Sequence, residues 1–482
     1  MSHTHTVTLI EGDGIGPEVT RATRKVIDAA GVKIDWEVCE AGAAVFKKGL
    51  ATGLPKETID SIRKNKIALK GPLETPVGFG EKSANVTLRK MFETYGNIRP
   101  IRELPGVPTP YSGRNIDFVI VRENVEDLYA GIEHMQSPGV AQCLKLISRK
   151  GCEKIIRLAF EFVKSEGRKK LHCATKANIM KLTEGLVKRT FEDIAKEYPD
   201  IESQHIIVDN CAHMMAKNPE IFDVIVTTNM NGDILSDLGS ALIGGLGFAP
   251  GANMGDTYAI FEAVHGSAPK YAGTNEINPT AVLLSGVMML RYLGEFNAAK
   301  AIEQAIYATI AKDGYVTRDV KMHGRAPVST TAFTDQIIKN LGQNYNDEVR
   351  PYQPIAKVHV SEDVNFVKAK ERCVVGVDIF IETATPMTTF GLRMEKRAHA
   401  HGLVLKLISC RGVKVYPQDH GVSPEVTDVV RCRFMETGDG ELGNAKIHAL
   451  LSDIESYDHW MHIEKLQCFD GTAGYSKAHG ED

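Results

Sequence analysis

The stretch Thr6-Val-Thr-Leu-Ile10, followed by Glu11-Gly-Asp-Gly-Ile-Gly-Pro17 and Glu18, decides how the chain is read. Its first five residues are strand-like, and its glycines make a tight turn. From Glu18 to Ala30 the apolar residues Val19, Ala22, Val26 and Ala29 recur at helical spacing. A strand, a turn and a helix in immediate succession open an α/β fold. The glycines come close to a dinucleotide-binding fingerprint, but that pattern needs a glycine at position 17, where Pro17 stands. Proline suits the first turn of a helix, so a strand-to-helix turn is the better reading than a standard Rossmann loop.

Outward from this unit the alternation continues. Lys66–Leu69, Asp117–Val121, Leu171–Ala174, His205–Val208 and Asp223–Thr227 read as buried strands. Cys152–Lys164, Thr183–Lys196 and Asn278–Tyr292 read as helices, which predicts an α/β protein with a largely parallel sheet. Tyr129–His134 and Ala141–Ser148 flank the turn signal Gln136-Ser-Pro-Gly139 and suggest a protruding hairpin arm able to pair with a second subunit. The polar stretch Gln343–Val360, with Pro351 and Pro354, suits a linker. Beyond it come a strand at Val374–Glu382, a helix at Pro386–Ala400, and a bent strand over Leu403–Ser409 and Gly412–Tyr416. A strand at Val429–Met435, a helix at Ala445–Ile454 and a strand at Trp460–Gln467 follow. That β-α-β-β-α-β order is ferredoxin-like.

Composition narrows the function. The 482 residues exceed one ordinary core, so two or three domains are expected. A net charge of −4, from 57 Lys+Arg against 61 Asp+Glu, argues against a nucleic-acid partner. The nine cysteines include no C-x-x-C pair, which suits a reducing compartment better than a disulfide framework or a zinc site. The longest uncharged stretch, Leu238–Gly255, is broken by six glycines and Pro250, so no membrane span is expected. A cytoplasmic protein is the expectation.

The chemistry concentrates in a few places. In Asn231-Gly-Asp-Ile-Leu-Ser-Asp237, Asp233 and Asp237 lie four apart and project from one helix face. Asp209 ends the strand Ile206-Ile-Val-Asp209, and three carboxylates without Cys or His suggest Mg²⁺ or Mn²⁺. From spacing alone, two solvated helix acids plus a helix cap at Asp209 are the slightly favoured reading. Arg89, Arg99 and Arg122 form a basic set suited to paired hydrogen bonds with a polyanion, although any one of them alone could be a surface ion pair. Lys176, just after a strand, could act as a base beside a cation. The loop Glu262–Gly273, with His265, Lys270 and Tyr271, could pass close to a nucleotide.

Together these motifs resemble the isocitrate/isopropylmalate dehydrogenase family, metal-dependent β-decarboxylating dehydrogenases of (2R,3S)-hydroxyacids. The resemblance spans Val7 to about Leu341 through Gly12–Glu18, Thr75-Pro76, Ser83–Arg89, Arg99-Pro100, Arg122–Tyr129, Lys176–Asn178, Asn229–Asp237 and His265–Gly273. The tail is similar to that of the longer bacterial isocitrate-acting members.

The resemblance implies a two-domain fold with a clasp arm and a dimer sharing its active sites. The large domain would comprise 1–95 and 244–342, the small domain 96–243, the clasp about 128–148, the linker 343–371 and the C-terminal domain 372–482. It implies that Arg89, Arg99 and Arg122 bind substrate carboxylates, with Ser83 and Asn85 at the one that distinguishes isocitrate. Asp233 and Asp237 of one subunit and Asp209 of the other would hold Mg²⁺ or Mn²⁺. Lys176 and Tyr129 would handle protons. Thr75 and Asn178 would lie near the nicotinamide, and Glu262, His265, Gly266, Ser267, Lys270, Tyr271 and Asn278 would line the nucleotide site.

The implied reaction is oxidation of isocitrate to 2-oxoglutarate and CO₂ in the tricarboxylic acid cycle. Lys270-Tyr271, with Arg318, Lys321 and Arg325, favours NADP over NAD. The alternatives are an NAD-dependent enzyme, an isopropylmalate or homoisocitrate dehydrogenase, and a non-catalytic regulatory subunit. Ser83 argues against an isopropyl substituent, and the full set of acids and the lysine argues against a regulatory subunit. For the C-terminal domain, assembly into a dimer or tetramer is favoured over binding a small regulator.

Overall fold

The computed structural model describes residues 4–75, 82–320, 323–345, 354–355, 358–418, 424–438 and 440–481. It packs as two units, one formed by 1–129 with 146–361 and the other by 130–145 with 362–482.

The strands of the N-terminal half are β1 His5–Ile10, β2 Ile34–Cys39, β3 Ile67–Lys70, β4 Gly96–Arg102, β5 Asp117–Glu123, β6 Glu133–Ser137, β7 Val140–Cys143, β8 Lys170–Thr175, β9 Glu202–Ile207, β10 Val224–Thr227, β11 Pro250–Met254 and β12 Ala259–Ala263. In the first unit they form one sheet in the order β2-β1-β3-β12-β11-β4-β5-β10-β8-β9. Both flanks are parallel, as expected, but β12–β11, β11–β4 and β4–β5 in the middle are antiparallel. The sheet crosses the expected boundary between large and small domains without a break, because β11 and β4 pair directly. Helices on both faces exclude water from the strands. Helix Gly16–Ala29 buries Val19, Val26 and Ile27 against Val7 and Leu9 of β1, and helix Arg149–Ser165 buries Ile155, Ile156 and Ala159 against Val119 and Val121 of β5.

The glycine turn after β1 serves backbone crossing. Asp13 N–H donates to Pro72 O at 2.7 Å, and Ile15 N–H donates to Ser267 O at 2.9 Å. A Cβ on Gly12 would sit 2.4 Å from Pro72 O, and one on Gly14 would sit 2.0 Å from Ser267 O. Gly14 also has φ +57°, where a side chain is strained. The turn thus locks two neighbouring loops against the strand end, which is why its spacing need not match a dinucleotide fingerprint.

The second unit contains β13 Arg372–Glu382, β14 Leu403–Cys410, β15 Val413–Tyr416, β16 Val429–Glu436, β17 His459–Phe469 and β18 Thr472–Ala473. Its sheet order is β15-β14-β16-β13-β17-β18, antiparallel throughout. The inner order β14-β16-β13-β17 is that of a ferredoxin-like sheet. Helices Met387–Ala400 and Asn444–Glu455 cover one face, with Phe390, Met394, Ile447 and Leu450 packed on Val377, Ile379 and Ile381. The expected bent strand over 403–416 is instead a hairpin. Arg411 and Gly412 carry φ +51° and +78°, and Cys410 pairs with Val413 across them. On the helix-free face the C-terminal segment returns: Arg433, fully buried, donates to Asp378 at 2.8 Å, to Glu481 at 2.7 Å and to Ser476 O at 3.0 Å.

The hairpin arm is β6–β7, with its turn tightened to Pro138-Gly139. It groups with residues 362–482 in the second unit. Ser137 donates to Asp428 at 2.5 Å, and Gly139 lies beside the same carboxylate.

Candidate active site

Strand register places a polar band across one face of the first unit's sheet. Asn97 of β4 lies opposite Arg122 of β5 and opposite Asn253 of β11, while Glu262 of β12 pairs with Lys70 of β3. Alternation along β4 puts Arg99 on the face of Asn97. Polar side chains in a sheet this deep must satisfy one another. Asn97 Nδ2 donates to Asn253 Oδ1 at 2.7 Å, Asn253 Nδ2 to Glu262 Oε1 at 2.7 Å, and Arg99 Nε to Asn97 Oδ1 at 2.9 Å.

Helix Asn229–Leu242 brings Asp233 onto this band. Arg122 Nη1 donates to Asp233 Oδ1, Arg99 Nη1 donates to the same oxygen at 3.1 Å, and Tyr129 OH donates to Oδ2 at 2.6 Å. Arg122 is further fixed by Asn229 Oδ1 at 2.7 Å, and Arg99 by Ser236 Oγ at 2.6 Å. The glycine of the Asn231-Gly-Asp motif has a steric reason, because a Cβ on Gly232 would lie 2.6 Å from Arg122 Cγ. The helix can therefore start directly on the guanidinium.

The charges here are mutually crowded. Burial, then Arg99 and Arg89, hold Arg122 below its usual value despite Asp233. Burial raises the Asp233 carboxyl, but Arg122, Arg99 and the Tyr129 hydroxyl outweigh it and keep it low. Burial and Asp233 push Asp237, one turn along, upward. Burial and Asp233 raise the Tyr129 phenol, so it keeps its proton. Three neighbouring guanidiniums with one carboxylate among them suit an anionic ligand. A part-buried and an exposed carboxylate that repel suit a hard divalent cation.

Beside the band lies a cavity of about 350 Å³ lined by Lys70, Thr75, Asn85, Arg89, Glu262, His265, Gly266 and Ser267. Arg89 donates to Glu262 Oε1 at 2.9 Å, and buried Lys70 pairs with the other oxygen. Against its burial, Lys70 and Arg89 hold the Glu262 carboxyl well below the usual range. Thr75 and Ser83 share a 2.9 Å hydrogen bond, Ser83 also caps the helix Ala84–Met91, and Asn85 donates to Leu73 O at 3.2 Å. Asn85 Oδ1, Arg89 Nε and His265 Nε2 are buried polar atoms without a protein partner, as expected of atoms awaiting a ligand. A larger cavity, about 980 Å³, is lined by Ile98, Pro100, Val119 and Met288, and none of the sequence-identified site residues borders it.

The remaining loop residues are more open. Lys270 lies over the Tyr271 ring at 4.9 Å, and Asn278 donates to Asp319 at 3.0 Å. Arg318 is exposed and pairs with Glu276 at 2.8 Å, Arg325 donates to Asp313 O at 2.7 Å, and Lys321 lies outside the described residues.

Lys176 and Asp209 form a separate pair, Nζ to Oδ1 at 2.8 Å. Asp209 does not end a buried strand. β9 is a half-exposed edge strand that stops at Ile207, and Asp209 sits in the first turn of helix Val208–Lys217 with its side chain 69% exposed. Asn178 is exposed in the turn after Lys176. Among the described residues no three of His, Cys, Asp and Glu converge as a metal site, so within one chain Asp209 does not join Asp233 and Asp237. Sequence reasoning missed Lys70, Asn97, Asn229, Ser236 and Asn253. Only strand register could have revealed Asn97 and Asn253 beside the arginines, whereas Asn229 and Ser236 share a helix with Asp233, four before it and three after, and Lys70 stood at the end of a strand already identified.

Comparison with known proteins fits this geometry. Residues 6–337 match the family described as isocitrate/isopropylmalate dehydrogenase, and residues 372–481 match the bacterial isocitrate dehydrogenase C-terminal domain. The chain is 60% identical to the isocitrate dehydrogenase [NADP] of Thermus thermophilus, over 99% of this chain and 96% of that protein. It is 39% identical to the isocitrate dehydrogenase [NADP] of Rickettsia bellii, over 98% and 99% of the two chains. A crystal structure of a Thermus thermophilus protein superposes with a TM-score of 0.95 at 59% identity, covering 99% of this chain and 96% of that one.

Proposed function

The chain belongs to the isocitrate/isopropylmalate dehydrogenase family, and from that premise we propose that it converts isocitrate to 2-oxoglutarate and CO₂ with reduction of NADP. The observation that carries the reading is the convergence of Arg99, Arg122 and Tyr129 on Asp233, with Arg89 beside them.

In this reading Arg89, Arg99 and Arg122 hold the substrate carboxylates, and Ser83 and Asn85 receive the one that sets isocitrate apart. Fixed guanidiniums orient a trianion in one register, which lowers the entropy cost of reaching the transition state. Asp233 and Asp237, with the partner subunit's Asp209, would hold Mg²⁺ or Mn²⁺, whose role when bound is to acidify the substrate hydroxyl and steady negative charge on its oxygen. Two of these acids already repel on one helix, which supports a cation between them. The partner subunit's Lys176 would take the hydroxyl proton, and the nicotinamide, when bound, would supply the hydride acceptor. Tyr129, kept protonated by burial and Asp233, returns a proton to carbon after CO₂ departs. Thr75 and Asn178 flank the nicotinamide. Glu262, His265, Gly266, Ser267, Lys270, Tyr271, Asn278 and Arg318 receive the nucleotide, with Lys270 and Arg318 offering cations to the phosphate that distinguishes NADP. Sites shared in this way require at least a homodimer. No described helix is long and apolar enough to cross a membrane.

A panel of isocitrate, 3-isopropylmalate and homoisocitrate, each with NAD and NADP, with and without Mg²⁺, tests the proposal. Turnover confined to isocitrate with NADP and metal is expected. Preference for another acid or for NAD would replace the reading, and absence of turnover by the purified chain would favour a regulatory subunit.

A further inference from the structure

Cys373 of β13 and Cys468 of β17 stand directly opposite one another. The hydrogen bonds around them define the pair. Asp470 N–H donates to Glu371 O at 3.0 Å, while Glu371 N–H turns to Asp470 Oδ1 at 2.8 Å, and Gly474 N–H donates to Gln467 O at 2.8 Å, which turns residue 467 towards β18. By the alternation of antiparallel strands, residues 373 and 468 then fall at a hydrogen-bonding position, for which Cα atoms lie about 5.5 Å apart. That separation falls inside the window of about 4.4–6.8 Å that a disulfide needs. The two thiols share one side of the sheet, and burial together with the neighbouring Cys373 thiol raises the Cys468 thiol. Both residues are partly exposed, whereas Cys152, Cys173, Cys211, Cys410 and Cys432 are buried. The other accessible cysteines lack this arrangement: Cys39 faces Ile10 across β1–β2, and Cys143 faces Glu133 across β6–β7.

We propose that Cys373 and Cys468 are a redox-modification site, a dithiol that closes to a reversible disulfide when the protein meets a peroxide. One thiolate attacks a peroxide oxygen; the O–O bond breaks, an S–O bond forms, and hydroxide leaves. The second thiolate then attacks that sulfur, forming the S–S bond and releasing a second hydroxide. Each sulfur loses one electron, and the two peroxide oxygens gain the two together. A dithiol reductant reverses the step by exchange. A disulfide across a hydrogen-bonded strand pair on an accessible sheet is of the labile kind, suited to switching and not to permanent bracing. The link joins β13 to β17, and so closes residues 373–468 of the second unit into one loop.

The test uses the full chain, first reduced, then treated with hydrogen peroxide, blocked with an alkylating reagent and mapped as peptides without reduction. The expected result is a cross-linked pair of peptides carrying Cys373 and Cys468, with free thiols falling by two from the nine of the reduced chain, and full recovery with dithiothreitol. Cys373→Ser and Cys468→Ser should each abolish the link and leave the remaining partner as a trappable sulfenic acid. The inference is overturned if wild-type Cys373 and Cys468 are recovered as separate thiols or as separately oxidised side chains.

Discussion

Tyr129 donates its phenolic hydrogen to Asp233 Oδ2 at 2.6 Å, while the Arg122 guanidinium lies 4.9 Å from the centre of the tyrosine ring and binds the other carboxylate oxygen. One carboxylate therefore orients both a cation and a proton donor. In the reaction proposed above, Tyr129→Phe should lower kcat by about 10²-fold or more with a much smaller change in KM for isocitrate. Reduction of added oxalosuccinate should be spared relative to oxidative decarboxylation. Equal loss in both assays would give Tyr129 a different role.

Asp233→Asn should cost activity in two ways. It removes an anion from the proposed metal site and leaves Arg122 and Arg99, both almost fully buried, with one charge fewer to face. Asp233 itself is 38% exposed, so solvent moderates the structural part to about 1 kcal/mol. Turnover should fall by about 10²-fold or more even at saturating Mg²⁺, with circular dichroism unchanged. Near-normal turnover would remove Asp233 from the proposed metal set.

How much of this was legible beforehand depends on the kind of information required. Asp233 and Asp237 were legible because helical spacing alone puts them on one face, and Arg122 because it ends an apolar run. The polar band was not, because Asn97, Asn253 and Glu262 meet only through strand register, which no local pattern encodes. The same limit hid the antiparallel centre of the sheet. Asp209 was misplaced because an edge strand is apolar enough to look buried, and the helix that follows it begins with strand-like Val208. In the C-terminal unit, Arg411-Gly412 carried a two-residue turn whose first position tolerates positive φ without being glycine or asparagine, so the hairpin looked like a bend.

Glu123 offers a pH test. It is buried at the end of β5, and burial pushes its carboxyl up to about 7 against the N–H groups of Val125 and Glu126. A carboxyl raised in the folded state binds its proton more tightly there than in the unfolded chain. Its contribution to stability is thus complete below the ordinary value of 4.5, drains as pH rises, and is gone above about 7. Glu123→Gln mimics the protonated form. The variant should match the parent near pH 4.5 and exceed it by roughly 1–3 kcal/mol near pH 8, as read by denaturant unfolding. A constant difference across that window would contradict the burial argument.

The cofactor preference can be inverted at two positions. Lys270 and Tyr271 lie together in an open loop, the ammonium over the ring, and exposed Arg318 pairs with exposed Glu276. In the proposed reading, the added phosphate would recruit Lys270 and Arg318 at little desolvation cost. Lys270→Asp with Tyr271→Ile should reverse kcat/KM from NADP towards NAD by about 10²-fold or more, because an acid repels the phosphate and accepts from ribose hydroxyls. Unchanged preference in the double variant would place the phosphate elsewhere.

Removal of the C-terminal unit tests whether it serves assembly or regulation. The acids, arginines, lysine and tyrosine of the proposed site all lie within 1–129 and 146–361, so a chain ending near Val360 retains every group proposed for the chemistry. It loses the surface on which the β6–β7 hairpin packs, including the Ser137–Asp428 hydrogen bond, and it bares Gln136 and Ser137, which are buried in the full chain. A two-stranded hairpin without a packing partner is marginal in water. If that hairpin joins subunits, its loosening weakens the dimer and every site shared across it. The truncated chain should therefore keep measurable isocitrate turnover at high protein concentration, lose it on dilution, and elute as a smaller species with a melting temperature several degrees lower. If truncation altered only the response of activity to a small metabolite, with elution and melting unchanged, the unit would be a regulatory domain instead.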